Sequence, residues 1–328
     1  MIGGEDMNVS VEKIKSVMIG HAVADALGVP VEFCEREELI ENPVTDMRGY
    51  GTYDVPAGAW SDDTSMSLCA LDAMSCEGWK WDDIMNNFAE WLENGKYTPT
   101  GETFDVGRTC LKAIISYCSG ESDSTNCGRT DERSNGNGSL MRINPFVLWA
   151  TQTFLNHSND GYWLWMGCIK RASELTHAHD RSVMGCTIYA YCLSFLLKEA
   201  TRESLVAGIK FAGNDLDYIP EYEPYKRIFE PDFEKLSADE IKSSGYVVDT
   251  LEAALWCLLT TDNYRDCVLK AVNLGGDTDT IAAVAGGLAG ALYGYDGIPE
   301  KWRNTLIKRE YIEKMCERAA ESWKSQSI

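Results

Sequence analysis

The sequence predicts an all-α protein, and three observations carry that prediction. Apolar residues recur at three- and four-residue spacing through most of the 328 positions. Alternating runs of the kind that form half-buried strands are nearly absent. The pattern breaks at only two segments, one rich in glycine and the other carrying three prolines. With 45% apolar residues, the chain has ample material for a buried core.

Taken in order, residues 11–27 place Ile14, Val17, Met18, Ala22 and Ala26 on one stripe, with Ser10 as an N-cap. Gly28 reads as the stop, and Pro30 prevents the helix from resuming. The run Trp60-Ser61-Asp62-Asp63-Thr64 opens a second helix in which Leu68, Leu71 and Met74 repeat at helical spacing. Residues 82–92, 106–117, 162–175, 183–198 and 311–323 carry similar patterns, and residues 247–259 place Val248, Leu251, Leu255, Leu258 and Leu259 on one face. Residues 281–292 are built almost wholly of Ala, Gly and other small apolar residues, which lets neighbouring helices approach closely. Two segments break the pattern. Residues 120–139 are polar and glycine-rich, hence loop, and residues 214–244, with Pro220, Pro224 and Pro231, read as an excursion packed on the surface. Neither resembles a flexible linker, so one domain over 1–328 is expected.

Charge and cysteine content narrow the function. A net charge of −21 opposes a phosphate-backbone partner and an anionic membrane surface, because such affinity comes from Lys and Arg. The 12 cysteines are scattered without a C-x-x-C pair, and most sit in apolar helical settings, as expected of a reduced, cytoplasmic protein.

The candidate chemistry lies in acidic clusters at helix starts. Asp277-Thr278-Asp279-Thr280 follows a Gly-Gly turn, and Ser61-Asp62-Asp63-Thr64 repeats the hydroxyl–carboxylate pattern far away in sequence. One Asp per helix start would serve as a cap. Doubled carboxylates repel one another unless a cation lies between them, and an all-oxygen set suits Mg²⁺ or Mn²⁺. Two cations would account for four carboxylates. Asp25, on the apolar stripe of the first helix and near its C-terminal end, requires a partner. Glu32 falls on the loop beyond, where an acid can reach a site or swing away from it.

Read in order, the segments ADALGVPVEF, WSDDTSMSL, TFDVG around Asp105, GNGSLMRINPF, LTHAHD, SGYVVDTLEAALW and NLGGDTDTIAAVAGGLAGALYG resemble the ADP-ribosylglycohydrolase family over nearly the whole chain. The family includes dinitrogenase-reductase-activating glycohydrolases and ADP-ribosylhydrolases. The resemblance implies an orthogonal multi-helix bundle with two divalent cations, Mg²⁺ before Mn²⁺, in an acidic cleft. By that resemblance Ser61, Asp62, Asp63, Asp277, Asp279 and Thr280 are metal ligands. Glu32, Asp63 and Asp105 serve catalysis, Asp105 by touching the released side chain. Asn135, Gly136, Asn137, Gly138 and Ser139 hold the ADP-ribose phosphates, and His177 contacts substrate. Arg142 either adds charge for those phosphates or forms an internal salt bridge. The implied partner is an ADP-ribosylated protein, with arginine the commonest linkage, or a small ADP-ribose conjugate. Ser61 stands where many members carry Thr, which preserves the oxygen; Ala24 and His21 also depart from the usual Gly and small residues near the end of the first helix. Two other readings remain open at this point. An isoprenoid-synthase-like diphosphate enzyme would carry its acids at i, i+3 or i+4 on one helix face, unlike this chain. A catalytically silent binder of metal and ADP-ribose would keep the fold without turnover.

Overall fold

Two helices at the centre of the molecule set its architecture. The computed structural model describes residues 8–155 and 160–325, so both extremities of the expected 1–328 unit lie outside the described residues. The first central helix, α1 (Val11–Gly28), is capped by Ser10, whose side chain accepts from the Lys13 amide. The single apolar stripe expected for it understates its burial. Every residue from Ser16 to Gly28 is buried, so α1 has no solvent face over that length. The segment Val11–Val31 is long and apolar enough to cross a membrane by length and composition, yet 94% of that window is buried within the protein.

Around α1 follow α2 (Arg36–Glu41), α3 (Asp62–Met74), α4 (Trp81–Asn94), α5 (Arg108–Cys118), α6 (Asn144–Phe154) and α7 (Gly161–Glu174). The second half contributes α8 (Asp180–Lys198), α9 (Arg202–Leu216), α10 (Val247–Leu259), α11 (Tyr264–Val272), α12 (Thr278–Tyr293), α13 (Glu300–Thr305) and α14 (Arg309–Ser325). No β-strand occurs among the described residues, only isolated bridges pairing Arg129 with His177 and Gly136 with Tyr246. The all-α prediction holds. The sequence reading passed over α2, α6, α9, α11 and α13. It also began the surface excursion at Asn214, whereas α9 continues to Leu216 before short 3₁₀ turns take over.

The second central helix, α12, lies against α1 at backbone distance. A Cβ on Gly286 would fall 2.4 Å from the Ala24 Cβ, and one on Gly290 would fall 2.1 Å from the Ser16 carbonyl oxygen. Gly28 belongs to the same contact rather than acting as the expected stop. It has right-handed helical φ and ψ, and α1 runs on into a 3₁₀ turn at Val29–Val31. A Cβ there would come within 2.3 Å of the Asp279 Cα, so close packing explains this glycine. Thr278 Oγ1 donates to the Gly28 carbonyl at 2.9 Å, fixing the start of α12 on the end of α1.

Candidate active site

The site is assembled where the N-termini of α3 and α12 meet beside α1. At α3 the capping is performed by Ser61, whose Oγ accepts from the Asp63 amide at 3.3 Å. At α12 the Asp277 side chain makes no capping bond. The carboxylates of Asp62, Asp63 and Asp277 are therefore not spent on helix ends, as a pure capping role would require. Thr280 Oγ1 donates to Asp63 Oδ1 at 3.3 Å, joining the two helix starts. Asp25 has found the partners its position demanded. Its Oδ1 accepts from the Ser61 amide at 2.9 Å, and its Oδ2 accepts from the Thr64 amide at 3.1 Å and hydroxyl at 2.6 Å.

Two carboxylate triads result, Asp25–Asp63–Asp279 and Glu32–Asp277–Asp279, each with ligand oxygens within 4.8 Å of one another. Asp279 belongs to both. Among the described residues no Lys or Arg bonds any of these five acids. Three buried oxygens have no hydrogen-bond partner: Glu32 Oε2, Asp63 Oδ2 and Asp279 Oδ2. Unsatisfied buried carboxylate oxygens are strongly unfavourable, and hard divalent cations fit this donor set. The residues present thus fit a metal centre. Asp25 was recognised in the sequence only as needing a partner, yet it lies within the first triad.

Burial and mutual repulsion act together on the acids. Burial, reinforced by the charges of Asp105 and Asp277, pushes the Glu32 carboxyl up to about 9. Burial raises Asp25 to about 7 against the opposing hydrogen bonds from Thr64 and Ser61. Asp62, Asp63 and Asp279 are pushed well above the carboxylate range, by burial first and then by Asp105, Asp25 and Glu32 respectively. Asp105 is raised to about 6 by burial and Asp277. Glu32, expected on a loop free to swing, is only 4% exposed. Its neighbour Phe33 has φ +65° and Asp105 has φ +51°, left-handed backbone at two non-glycine positions on the site.

Beside the triads opens a cavity of about 260 Å³. Glu32, Asp62, Asp105, Asp277 and Thr280 supply its acidic lining, and Gly136, Asn137, Gly138 and His177 its other wall. Asp62 therefore faces the cavity and is absent from both triads. Asn137 joins the two sides, its Nδ2 donating to Asp277 Oδ2 at 2.8 Å and to Thr250 Oγ1 at 2.9 Å. A Cβ on Gly138 would fall 2.8 Å from Cys110 Sγ and from His177 Cε1, so only glycine lets the loop pass there. Asn135 and Ser139 support the loop from behind. Ser182 Oγ donates to Asn135 Oδ1 at 2.9 Å, and Ser173 Oγ donates to Ser139 Oγ at 2.9 Å. His177 is held neutral, at about 3, by burial and by the nearby Arg142 charge. Arg142 is internal but forms no salt bridge, bonding instead to Ala172 O and Thr176 Oγ1. The sequence reading did not single out Arg108 and Arg133, two exposed cations that also line the cavity.

An all-helical scaffold thus carries two acidic triads, which fit a metal centre, beside a cavity whose other wall is a glycine-rich loop. Residues 7–327 match the sequence model of ADP-ribosylglycohydrolase, and the chain belongs to the ADP-ribosylglycohydrolase family. It is 34% identical over 311 residues to the ADP-ribosylarginine hydrolase Tri1 of Pseudomonas putida (strain GB-1), covering 94% of this chain and 78% of that protein. Identity is 32% over 310 residues to the Tri1 hydrolase of Serratia proteamaculans (strain 568), covering 94% and 79%. It is also 32% over 310 residues to the ADP-ribosyl-dinitrogen reductase glycohydrolase of Rhodospirillum rubrum, covering 91% and 92%. A solved structure titled "ADP-ribosylglycohydrolase-related protein complex" superposes with a TM-score of 0.78 at 30% identity, covering 95% of this chain and 98% of that one. The enzyme class is therefore ADP-ribosylglycohydrolase, which removes the isoprenoid-synthase alternative.

Proposed function

We propose that this enzyme hydrolyses the N-glycosidic bond between ADP-ribose and an arginine side chain, using two divalent cations, Mg²⁺ before Mn²⁺. The observation that carries this reading is the set of three unpartnered buried oxygens, on Glu32, Asp63 and Asp279, distributed over two carboxylate triads that share Asp279. The names of the Pseudomonas and Serratia relatives support arginine as the linkage.

Asp25, Asp63 and Asp279 would hold one cation and Glu32, Asp277 and Asp279 the other, with Ser61, Asp62 and Thr280 supplying further oxygens. When bound, the cations neutralise the carboxylates and provide Lewis-acid orientation of ribose hydroxyls and a more acidic water. The protein's own groups do the rest. The Gly136–Gly138 backbone and neutral His177 receive the diphosphate, since successive amides and glycine turns make anion-binding concavities. Asp105 faces the departing guanidine, a planar cation that carboxylates pair with well. Glu32, which lines the cavity and keeps one carboxylate oxygen unpartnered, exchanges the proton between water and leaving nitrogen. The acidic wall, with Asp63 buried behind it, favours the oxocarbenium-like charge that glycosidic cleavage develops.

The test is incubation of chelated protein with arginine-, serine- and acetyl-linked ADP-ribose, with Mg²⁺ or Mn²⁺ restored, and measurement of released ADP-ribose. Fastest release from the arginine linkage is expected. Binding of ADP-ribose without release from any linkage would favour the silent-binder reading instead. The reading places the enzyme in a reducing cytoplasm, supported by 12 cysteines that no disulfide joins. Its charge of −21 supports a protein or small-conjugate partner over nucleic acid or membrane.

A further inference from the structure

Arg142 is a fully buried guanidinium that no carboxylate neutralises among the described residues. Its Nη1 donates to the Ala172 carbonyl at 3.0 Å and its Nη2 to Thr176 Oγ1 at 2.7 Å, while Nε has no partner. The guanidinium also lies 5.0 Å from the centre of the Phe88 ring. A buried cation without a counter-charge is unfavourable and calls for a reason. Its neighbours supply one. Met141, next in the chain, lines the cavity, as do Cys110 and His177, both of which feel the Arg142 charge. Arg142 thus stands one side chain behind the wall that carries Gly138.

We propose that Arg142 is a positioning residue which, acting through Thr176, fixes His177 as the Nε2–H tautomer and turns that donor toward the diphosphate of bound ADP-ribose. This rests on the reading of the cavity as an ADP-ribose site given above. Thr176 Oγ1 accepts from Arg142 Nη2, which leaves its own hydroxyl proton for His177 Nδ1, 2.8 Å away. A neutral imidazole whose Nδ1 accepts carries its one proton on Nε2. That Nε2 lies at the glycine loop, 3.7 Å and 3.4 Å from where Cβ atoms on Gly136 and Gly138 would stand. The opposite tautomer would present a lone pair to an anion. The backbone keeps the relay in place, because the Thr176 and His177 amides both donate to the Ser173 carbonyl, at 3.1 and 2.8 Å.

The experiment compares wild type with Thr176→Val, Thr176→Ser, Arg142→Lys and Arg142→Met, all with saturating Mg²⁺. ADP-ribose affinity is measured by calorimetry, KM and kcat on an arginine-linked substrate, and the His177 tautomer from ¹⁵N shifts of the ring nitrogens. With only four histidines in the chain, a His177→Asn control assigns the signal. The wild type is expected to show an unprotonated Nδ1. Thr176→Val should lose that signature, weaken ADP-ribose about tenfold and raise KM alike, with kcat changed less than about threefold. Thr176→Ser should restore all three, Arg142→Lys should keep the tautomer, and Arg142→Met should lose it. A wild-type His177 protonated on Nδ1, or equal ADP-ribose affinity in the Val and Ser variants, overturns the inference alone. The Thr176 pair can still overturn the inference even where an Arg142 variant fails to fold. A wild type that does not bind ADP-ribose overturns the proposed function, and this inference with it.

Discussion

Asp279 is the carboxylate on which both triads converge, and it sits at the first turn of a helix packed at backbone distance against α1. Replacing it with Asn removes an oxygen ligand from each cation position at nearly constant volume. Turnover should fall by at least about a hundredfold, because Lewis-acid stabilisation is worth several kcal/mol. The metal-free protein should melt no lower than wild type, since one mutually repelling acid is gone; a lower melting temperature without metal would contradict this account. Glu32 makes a second prediction. Its folded pKa, about 9, lies above the unfolded 4.5, so the metal-free folded state holds a proton that the unfolded state releases. Its contribution is fully present below pH 4.5 and is lost as pH rises toward 9. Thermal melts in chelator should therefore decline across that window, and Mg²⁺, which favours the charged carboxylate, should flatten the decline. At this scale the sequence revealed the acids through their doubling at helix starts. It did not reveal that Asp25 enters a triad, because a lone Asp on an apolar stripe shows its need for a partner and not which partner it finds. Arg108 and Arg133 were equally invisible, lying in segments where nothing but folding brings cations to a cavity.

Among the elements, the α1–α12 pair does most to place the chemistry, since α1 brings Asp25 and α12 brings Asp279 and Thr280. Gly290→Ala would press a methyl group against the Ser16 carbonyl and push the two helices apart. A loss of about 1–3 kcal/mol is expected, the usual range for overpacking, together with weaker Mg²⁺ binding. Denaturant unfolding and a Mg²⁺ titration check both, and an unchanged Mg²⁺ affinity would separate packing from the site. The run of small residues made this contact legible beforehand. Other elements were less so. The helix α6 begins Asn144-Pro145 and continues with the apolar run of residues 146–150, so the period that marks an amphipathic helix is lost over its first turns. The helix α11 spans nine residues, too few turns for a repeat to stand out. The surface excursion read from Asn214 onward overlaps the last turn of α9, which continues to the buried Leu216.

For the whole molecule, the proposed metal centre would tie stability to a bound cation. At a hundredfold excess over its dissociation constant a cation contributes about 2.7 kcal/mol by mass action. Chelation should accordingly lower the melting temperature by about 5 °C, and Mg²⁺ or Mn²⁺ should restore it; insensitivity to chelator would remove the metal from the account. One connection bears on how such an enzyme turns over. The amide of Phe33 donates to the Gly276 carbonyl at 2.7 Å, and the amide of Gly276 to the Cys34 carbonyl at 2.9 Å. The strip bearing Glu32 is thereby stitched to the strip bearing Asp277, residue to residue. A shift of either strip therefore pulls on the other, so any opening of the cavity at this edge would loosen a cation held between Glu32 and Asp277 and tie traffic at the doorway to the grip on the metal.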